Sequence, residues 1–260
     1  MTDAERALSV AVDAALAAGE VIRRGLAAEE KGAQAKSHPN DPVTVFDRQA
    51  EDAIVRILEA AFPEDGILSE ESAASDGSSG FRWIVDPIDG TNNFLAGIPH
   101  VSVSIARADR DGSVVGCVHD PIRRETFTAM RGGGTRLGDD RLRVSERSSL
   151  DGAVLGIGLS HRPTRRARML ARLPRLAHRA GVLRTLGSAA LDLAYVAAGR
   201  FDAAWYAALS PWDVAAAALL TEEAGGRISD LGGNPSRDPE EGIVASNGPI
   251  HDELLHALAG

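Results

Sequence analysis

The chain has 260 residues, 44% hydrophobic and 25% charged, and its 37 acidic against 28 basic side chains leave a net charge of -9. That composition excludes disorder and suits one large core or two small ones, while the acidic balance argues against nucleic acid as the main partner and leaves room for a small anion, because bound cations reverse the sign of an acidic pocket. With one cysteine, Cys117, no disulfide framework or multi-cysteine metal site can form. No secretory pattern opens the chain and no apolar run reaches the roughly 18 residues of a membrane span, so a soluble, cytoplasmic protein with no membrane partner is expected.

Thr2 and Glu5 fit a capping box, and Leu8, Ala11, Ala15, Ala18 and Ile22 recur near helical spacing, which predicts an amphipathic helix ending near Gly25. A second helix is expected from about Asp47 to Ala60, with Ala50, Ile54, Ile57 and Ala61 on one face and Pro63 beyond its end. Between them, Lys31 to Asp41 reads as a polar, mobile loop. Strands follow at Gly66 to Ser69, Phe81 to Val85 and Val101 to Ile105, the last with a period of two, then at Ser113 to Val118 and Glu125 to Met130, which together suggest an antiparallel meander. Gly132-Gly133-Gly134-Thr135 reads as a flexible turn, since it lacks the lysine of a phosphate-binding loop.

Beyond Asp151-Gly152 strand and helix alternate. Strands are expected at Val154 to Leu159, Val182 to Thr185, Phe201 to Ala207, Arg227 to Ser229 and Gly242 to Ala245, with helices at Thr164 to Arg179, Ser188 to Ala198 and Pro211 to Ala224. The expected fold is a layered α+β or α/β sandwich of helices and sheets. Residues 1–150 form its α+β half and residues 151–260 its α/β half, in one compact unit.

The segment Trp83-Ile84-Val85-Asp86-Pro87-Ile88-Asp89-Gly90-Thr91-Asn92-Asn93-Phe94 delivers two carboxylates and a hydroxyl into a turn stiffened by Pro87 and opened by Gly90. Hard divalent cations such as Mg²⁺ take oxygen ligands, and Asp86, Asp89 and the carbonyl of Ile88 could share or bridge two of them. A plain turn with a capping aspartate accounts for the same residues. Glu70 and Glu71 follow a strand and could be a solvated pair. Asp213, in Ser210-Pro211-Trp212-Asp213, and Asp47, after Val43-Thr44-Val45-Phe46, both suit the first turn of a helix without any metal. The cluster Arg162, Arg165, Arg166 and Arg168 reads as a solvated helix face.

Asp86 to Thr91, with Glu70-Glu71 upstream and Trp212-Asp213-Val214-Ala215 downstream, closely resembles the inositol monophosphatase family, within the lithium-sensitive magnesium phosphatases. The resemblance extends to Lys36-Ser37, Asp41-Pro42-Val43-Thr44, Asp47 and Leu186-Gly187-Ser188-Ala189-Ala190, so it spans nearly the whole chain. It implies one Mg²⁺ on Glu70, Asp86 and the Ile88 carbonyl, a second on Asp86, Asp89 and Asp213, and a weaker third on Glu70. It further implies that Thr91 and Asp47 position and deprotonate the attacking water with help from Glu70. Gly90 and Thr91 would offer backbone N–H groups to the phosphate, Lys36 would lie on a closing loop, and Gly187, Ser188 and Ala189 would touch substrate. The assembly implied is a homodimer.

Tyr206 is a departure. Enzymes specific for inositol phosphates commonly carry an acid there, seven residues before the last metal-binding aspartate, and a tyrosine lacks the charge-assisted acceptors that a carboxylate offers to vicinal hydroxyls. The resemblance therefore implies a phosphatase of a small phosphorylated metabolite, inositol 1-phosphate first. Histidinol phosphate, fructose 1,6-bisphosphate and 3′-phosphoadenosine 5′-phosphate are alternatives, and a regulatory scaffold binding RNA or transcription factors is an alternative of another class.

Overall fold

A computed structural model describes residues 1–35, 42–160, 163–207, 209–235 and 242–259. Lys36, expected on a closing loop, lies outside the described residues. The first helix, α1 (Asp3–Leu26), begins on the expected capping box, with Thr2 and Glu5 exchanging side-chain and backbone hydrogen bonds. β1 (Gln34–Ala35) and β2 (Pro42–Val43) form a short antiparallel ladder inside the stretch expected to be loop. Then α2 (Val45–Ala61) starts on a second capping box, Thr44 with Asp47.

The seven-stranded sheet is built from β3 (Gly66–Ser69), β4 (Arg82–Asp89), β5 (Ser102–Asp109), β6 (Gly112–Asp120), β7 (Glu125–Met130), β8 (Gly134–Leu137) and β9 (Asp140–Arg141), in that order, with the short helix α3 (Thr91–Ala96) between β4 and β5. β3 and β4 run parallel and the remaining pairs are antiparallel. The glycine-rich stretch expected to be a flexible turn is thus a turn leading straight into β8. Both carboxylate oxygens of Glu223 receive backbone N–H groups there, from Gly132 at 2.7 Å and Gly134 at 2.9 Å. That fixed anion supplies the order that the glycines alone do not predict.

A five-stranded mixed sheet follows, from β10 (Val154–Gly158), β11 (Val182–Arg184), β12 (Ala203–Tyr206), β13 (Arg227–Ser229) and β14 (Ile243–Ser246), in the order β11-β10-β12-β14-β13. Its helices are α4 (Pro163–Arg179), α5 (Ala189–Ala197), α6 (Pro211–Glu223) and α7 (His251–Leu258). Period-two alternation divides the core into layers. Val103, Ile105, Val115 and Cys117 face Ile22, Ile54 and Leu58 of α1 and α2, and burying each such aliphatic side chain is worth about 1.5–3 kcal/mol. Ala106, Val118, Phe127 and Ala129 point the other way, onto the alanine-rich α5 and α6, which also cover Ala204 and Tyr206 of the second sheet. On the outer face, Leu155, Ile157 and Trp205 meet Met169 and Leu176 of α4 and Leu254 and Leu258 of α7. Five layers result, helix, sheet, helix, sheet, helix. Among the described residues, no helix is long and apolar enough to cross a membrane.

The middle layer is thin because its contacts are small. A Cβ on Gly116 would lie 2.8 Å from the carbonyl of Ala216, so α6 lies almost directly on β6. Such close seating brings the N-terminal ends of α5 and α6 to the end of β4.

Candidate active site

β4 runs four residues past the expected end at Val85 and carries both carboxylates within the sheet. Asp86 pairs with Ser104 and Asp89 with Ser102, and the register shifts between them. Pro87 falls in this irregularity, where a residue without an N–H costs the ladder least. Asp86 Oδ1 accepts the N–H of Ile88 at 3.0 Å. Gly90 then turns the chain into α3 at a φ of 97°, and a Cβ there would lie 3.1 Å from the carbonyl of Gly187. Only glycine fits that turn.

Asp47 does two things. One oxygen, Oδ2, accepts the Thr44 N–H at 2.7 Å and closes the capping box; the other, Oδ1, lies 3.2 Å from Thr91 Oγ1. The Thr91 hydroxyl carries one proton and has a second acceptor, the Ile88 carbonyl, at 3.1 Å. One turn further along α2, the buried Glu51 accepts the Ser69 hydroxyl at 2.6 Å and the Glu71 N–H at 3.0 Å. Glu51 therefore pins the turn carrying Glu70, a role that its mid-helix position did not announce.

Asp213 sits in the first turn of α6 and accepts the Ser210 N–H at 2.7 Å. Ligand oxygens of Asp86, Asp89 and Asp213 all lie within 4.8 Å of one another. Burial, then the charges of Glu70, Asp89 and Asp213, push the Asp86 carboxyl well above its ordinary range. Burial and the Asp89 charge push Asp213 up to about 8. Among the described residues no lysine or arginine pairs with any of the three. Buried like charges without a counter-ion are costly, and an all-oxygen, all-anionic donor set of this kind fits hard cations such as Mg²⁺.

Asp89 is also the cap of α5. Ser188 holds the N-cap position, but its hydroxyl donates to Asp89 Oδ2 at 2.5 Å, and the Ala190 and Ala189 N–H groups donate to Asp89 at 2.8 and 3.2 Å. Burial raises the Asp89 carboxyl above its usual value, and these donors partly offset the rise. Asn93 adds a clamp, donating to the carbonyls of His100 at 2.8 Å and Leu186 at 2.7 Å. These bonds lock the Gly187 turn, with φ of 90°, against α3.

Tyr206 lines the cavity, yet its hydroxyl donates to Asp192 Oδ2 at 2.5 Å, behind the wall. Asp192 is fully buried, with His100 Nε2 3.3 Å from its other oxygen. Gly158 makes the room: a Cβ there would fall 1.8 Å from the Tyr206 ring. Neither Asp192 nor Gly158 was singled out in the sequence, although an aspartate in the middle of an apolar helix is a signal that it has a buried partner.

The surrounding cavity, about 710 Å³, is walled by Glu70, Asp86, Ile88, Asp89, Thr91 and Asp213 at one end. Gly90, Gly187, Ala189 and Tyr206 also line it. Ser188 contributes through Asp89, and Asp47 through Thr91.

The inositol monophosphatase family model matches residues 3–260. A Rhizobium meliloti protein named inositol-1-monophosphatase is 44% identical over 96% of this chain and 95% of its own. A Pasteurella multocida protein named Nus factor SuhB is 40% identical over the same shares. The crystal structure of extragenic suppressor protein suhB from Bartonella henselae superposes with a TM-score of 0.94 at 40% identity, covering 97% of this chain and 98% of that one. Agreement in sequence and fold from end to end leaves one conclusion: the chain belongs to the inositol monophosphatase family.

Proposed function

We propose that this chain is a Mg²⁺-dependent hydrolase of small phosphate monoesters, of inositol-1-monophosphatase type. The observation that carries the reading is the meeting of Asp86, Asp89 and Asp213 within 4.8 Å, beside a threonine whose hydroxyl faces a buried aspartate. Glu70, Asp86, Asp89, Asp213 and the Ile88 carbonyl would hold two to three ions. When bound, Mg²⁺ supplies charge neutralisation for the phosphoryl oxygens and acidifies a coordinated water.

The chain's own groups do the remaining work. Asp47, as a carboxylate, draws the Thr91 proton toward itself, which leaves the Thr91 oxygen free to accept a hydrogen bond from the attacking water and to orient it. Glu70 is the further base beside it. Gly90 and Thr91 present backbone to the phosphate, and Gly187, Ser188, Ala189 and Tyr206 bound the alcohol. Phosphoryl transfer needs mainly positioning and charge stabilisation, and residues fixed by β4, α2, α5 and α6 provide both.

Turnover of inositol 1-phosphate, histidinol phosphate, fructose 1,6-bisphosphate and 3′-phosphoadenosine 5′-phosphate with Mg²⁺ tests the reading. A preference above about tenfold in kcat/KM, roughly 1.4 kcal/mol, names the substrate. Absence of Mg²⁺-dependent phosphate release from every ester removes the reading. Accompanying it are a homodimeric assembly and inhibition by Li⁺, read by sedimentation and by Li⁺ titration.

The relatives named Nus factor SuhB support a second reading of another class, a scaffold for RNA or transcription factors. The intact acid set favours hydrolysis as the primary role. RNA association that shows no salt dependence, or none at all, removes the second reading.

A further inference from the structure

The lining of the cavity is unevenly charged. Its acids, Glu70, Asp86, Asp89 and Asp213, come from the ends of β3 and β4 and the start of α6. Another part of the wall is made where β10, β11 and β12 finish, and there Leu159, Ser160, Thr185 and Tyr206 are neutral. Tyr206 stands in front of Asp192 and takes up that carboxylate by donating to it, so among the described residues no carboxylate opens onto the cavity from these strand ends. One cation lines it. Arg165, in the first turn of α4, is half-buried on the cavity wall and, among the described residues, has no hydrogen bond or ion pair. The same helix carries Arg166, Arg168, Arg172, Arg175 and Arg179 and no acid of its own; Arg179, at its far end, is paired with Glu253 of α7, and only Arg165 of the set reaches the cavity wall.

A guanidinium on a pocket wall without a protein carboxylate is matched to an anion that arrives with the ligand, and its planar fork suits a phosphate bidentately. A cavity of about 710 Å³ lies within the usual range for small-molecule sites and has room for more than one phosphate. We propose that Arg165 binds a second phosphate group of the substrate, so that this enzyme prefers bisphosphates of a small sugar or nucleoside to esters whose alcohol is neutral or cationic. This rests on the phosphatase reading above and selects among its substrates: histidinol phosphate, with its cationic alcohol, falls to last. The acid that family members specific for inositol phosphates commonly carry at the Tyr206 position would repel such a group, and Gly158, by admitting the tyrosine ring, is part of the same device.

The test uses pairs differing by one phosphate: fructose 1,6-bisphosphate against fructose 1-phosphate, and 3′-phosphoadenosine 5′-phosphate against adenosine 3′-phosphate. Wild type is expected to favour one bisphosphate over its partner by about tenfold or more in kcat/KM, expressed in KM. The sugar and nucleoside arms identify which scaffold is read. Arg165→Gln abolishes that margin by raising KM for the bisphosphate far more than for either monophosphate, and Arg165→Lys restores part of it. Equal preference in wild type and Arg165→Gln, or no preference in wild type, overturns the proposal. Equilibrium titration of the same pairs into an Asp47→Asn chain with Mg²⁺ keeps the two readings apart. If no ester is hydrolysed the phosphatase reading fails, whereas a bisphosphate margin in binding that Arg165→Gln removes still upholds Arg165, and its absence defeats it.

Discussion

The starts of α1 and α2 are built by the same local rule and serve different ends. At α1, Thr2 and Glu5 exchange hydrogen bonds on an exposed surface, through one oxygen of Glu5, and its other oxygen faces no functional partner there. At α2, Thr44 and Asp47 make the same exchange in a buried setting, and the second oxygen of Asp47 faces Thr91. The start of α6 repeats the second case, with Asp213 reaching back to Ser210 while its carboxylate stands beside Asp86 and Asp89. A capping box says where a carboxylate is held; the neighbouring elements decide whether it has anything left to do. Capping and chemistry are therefore not competing explanations for Asp47 or Asp213.

The largest expected effect separates these starts by activity. Asp47→Asn should lower kcat roughly 10²–10⁴-fold, as loss of a general base does, with the far-UV spectrum and fold intact; activity near wild type would make α2 no different from α1. The next concerns Asp213. Its folded value of about 8 exceeds the ordinary 3.8, so between those values the folded chain keeps a proton that the unfolded chain has lost. Stability of the metal-free chain should then fall as pH rises from about 4 to 8, and saturating Mg²⁺ should flatten that slope in thermal melts. Glu5, whose carboxyl lies below its usual value through its bond with the Thr2 backbone, should contribute nothing of this kind.

Gly158→Ala tests the wall formed by Tyr206. With a Cβ at 1.8 Å from Tyr206, overpacking should cost about 1–3 kcal/mol in chemical denaturation and raise KM as the ring moves. Smallest, and sharpest as a comparison, are the two threonines. Thr2→Ala and Thr44→Ala should each cost about 1 kcal/mol of stability, but only Thr44→Ala should also slow phosphate release, because it frees Asp47 to turn away from Thr91.

Local signals were legible where the chemistry was local. Capping at Thr2 and period-two alternation at Val101 to Ile105 placed the elements well. The sequence signal for β4 stops at Val85 because Asp86-Pro87 resembles a turn, and only the pairing with Ser104 and Ser102 shows that the strand continues through a bulge. α7 passed unnoticed, although Leu254, Ala257 and Leu258 recur at helical spacing with acids in the first turn. In the site, the acids could be named but not their other duties. That Asp89 caps α5 from 100 residues away, or that Glu51 holds the Glu70 turn, depends on contacts across the chain that no short motif encodes. Ser188 holds the N-cap position of α5 yet passes that task to Asp89.

In the proposed function, carboxylates delivered by β4 and by the start of α6 would hold the ions on which phosphate-ester hydrolysis depends. The most direct test is phosphate release from inositol 1-phosphate and from fructose 1,6-bisphosphate as Mg²⁺ is titrated into metal-stripped wild type and Asp89→Asn. Saturable, Mg²⁺-dependent release in wild type that nearly vanishes in the variant is the predicted result. Equal rates in both proteins, or undiminished release in EDTA, would contradict it.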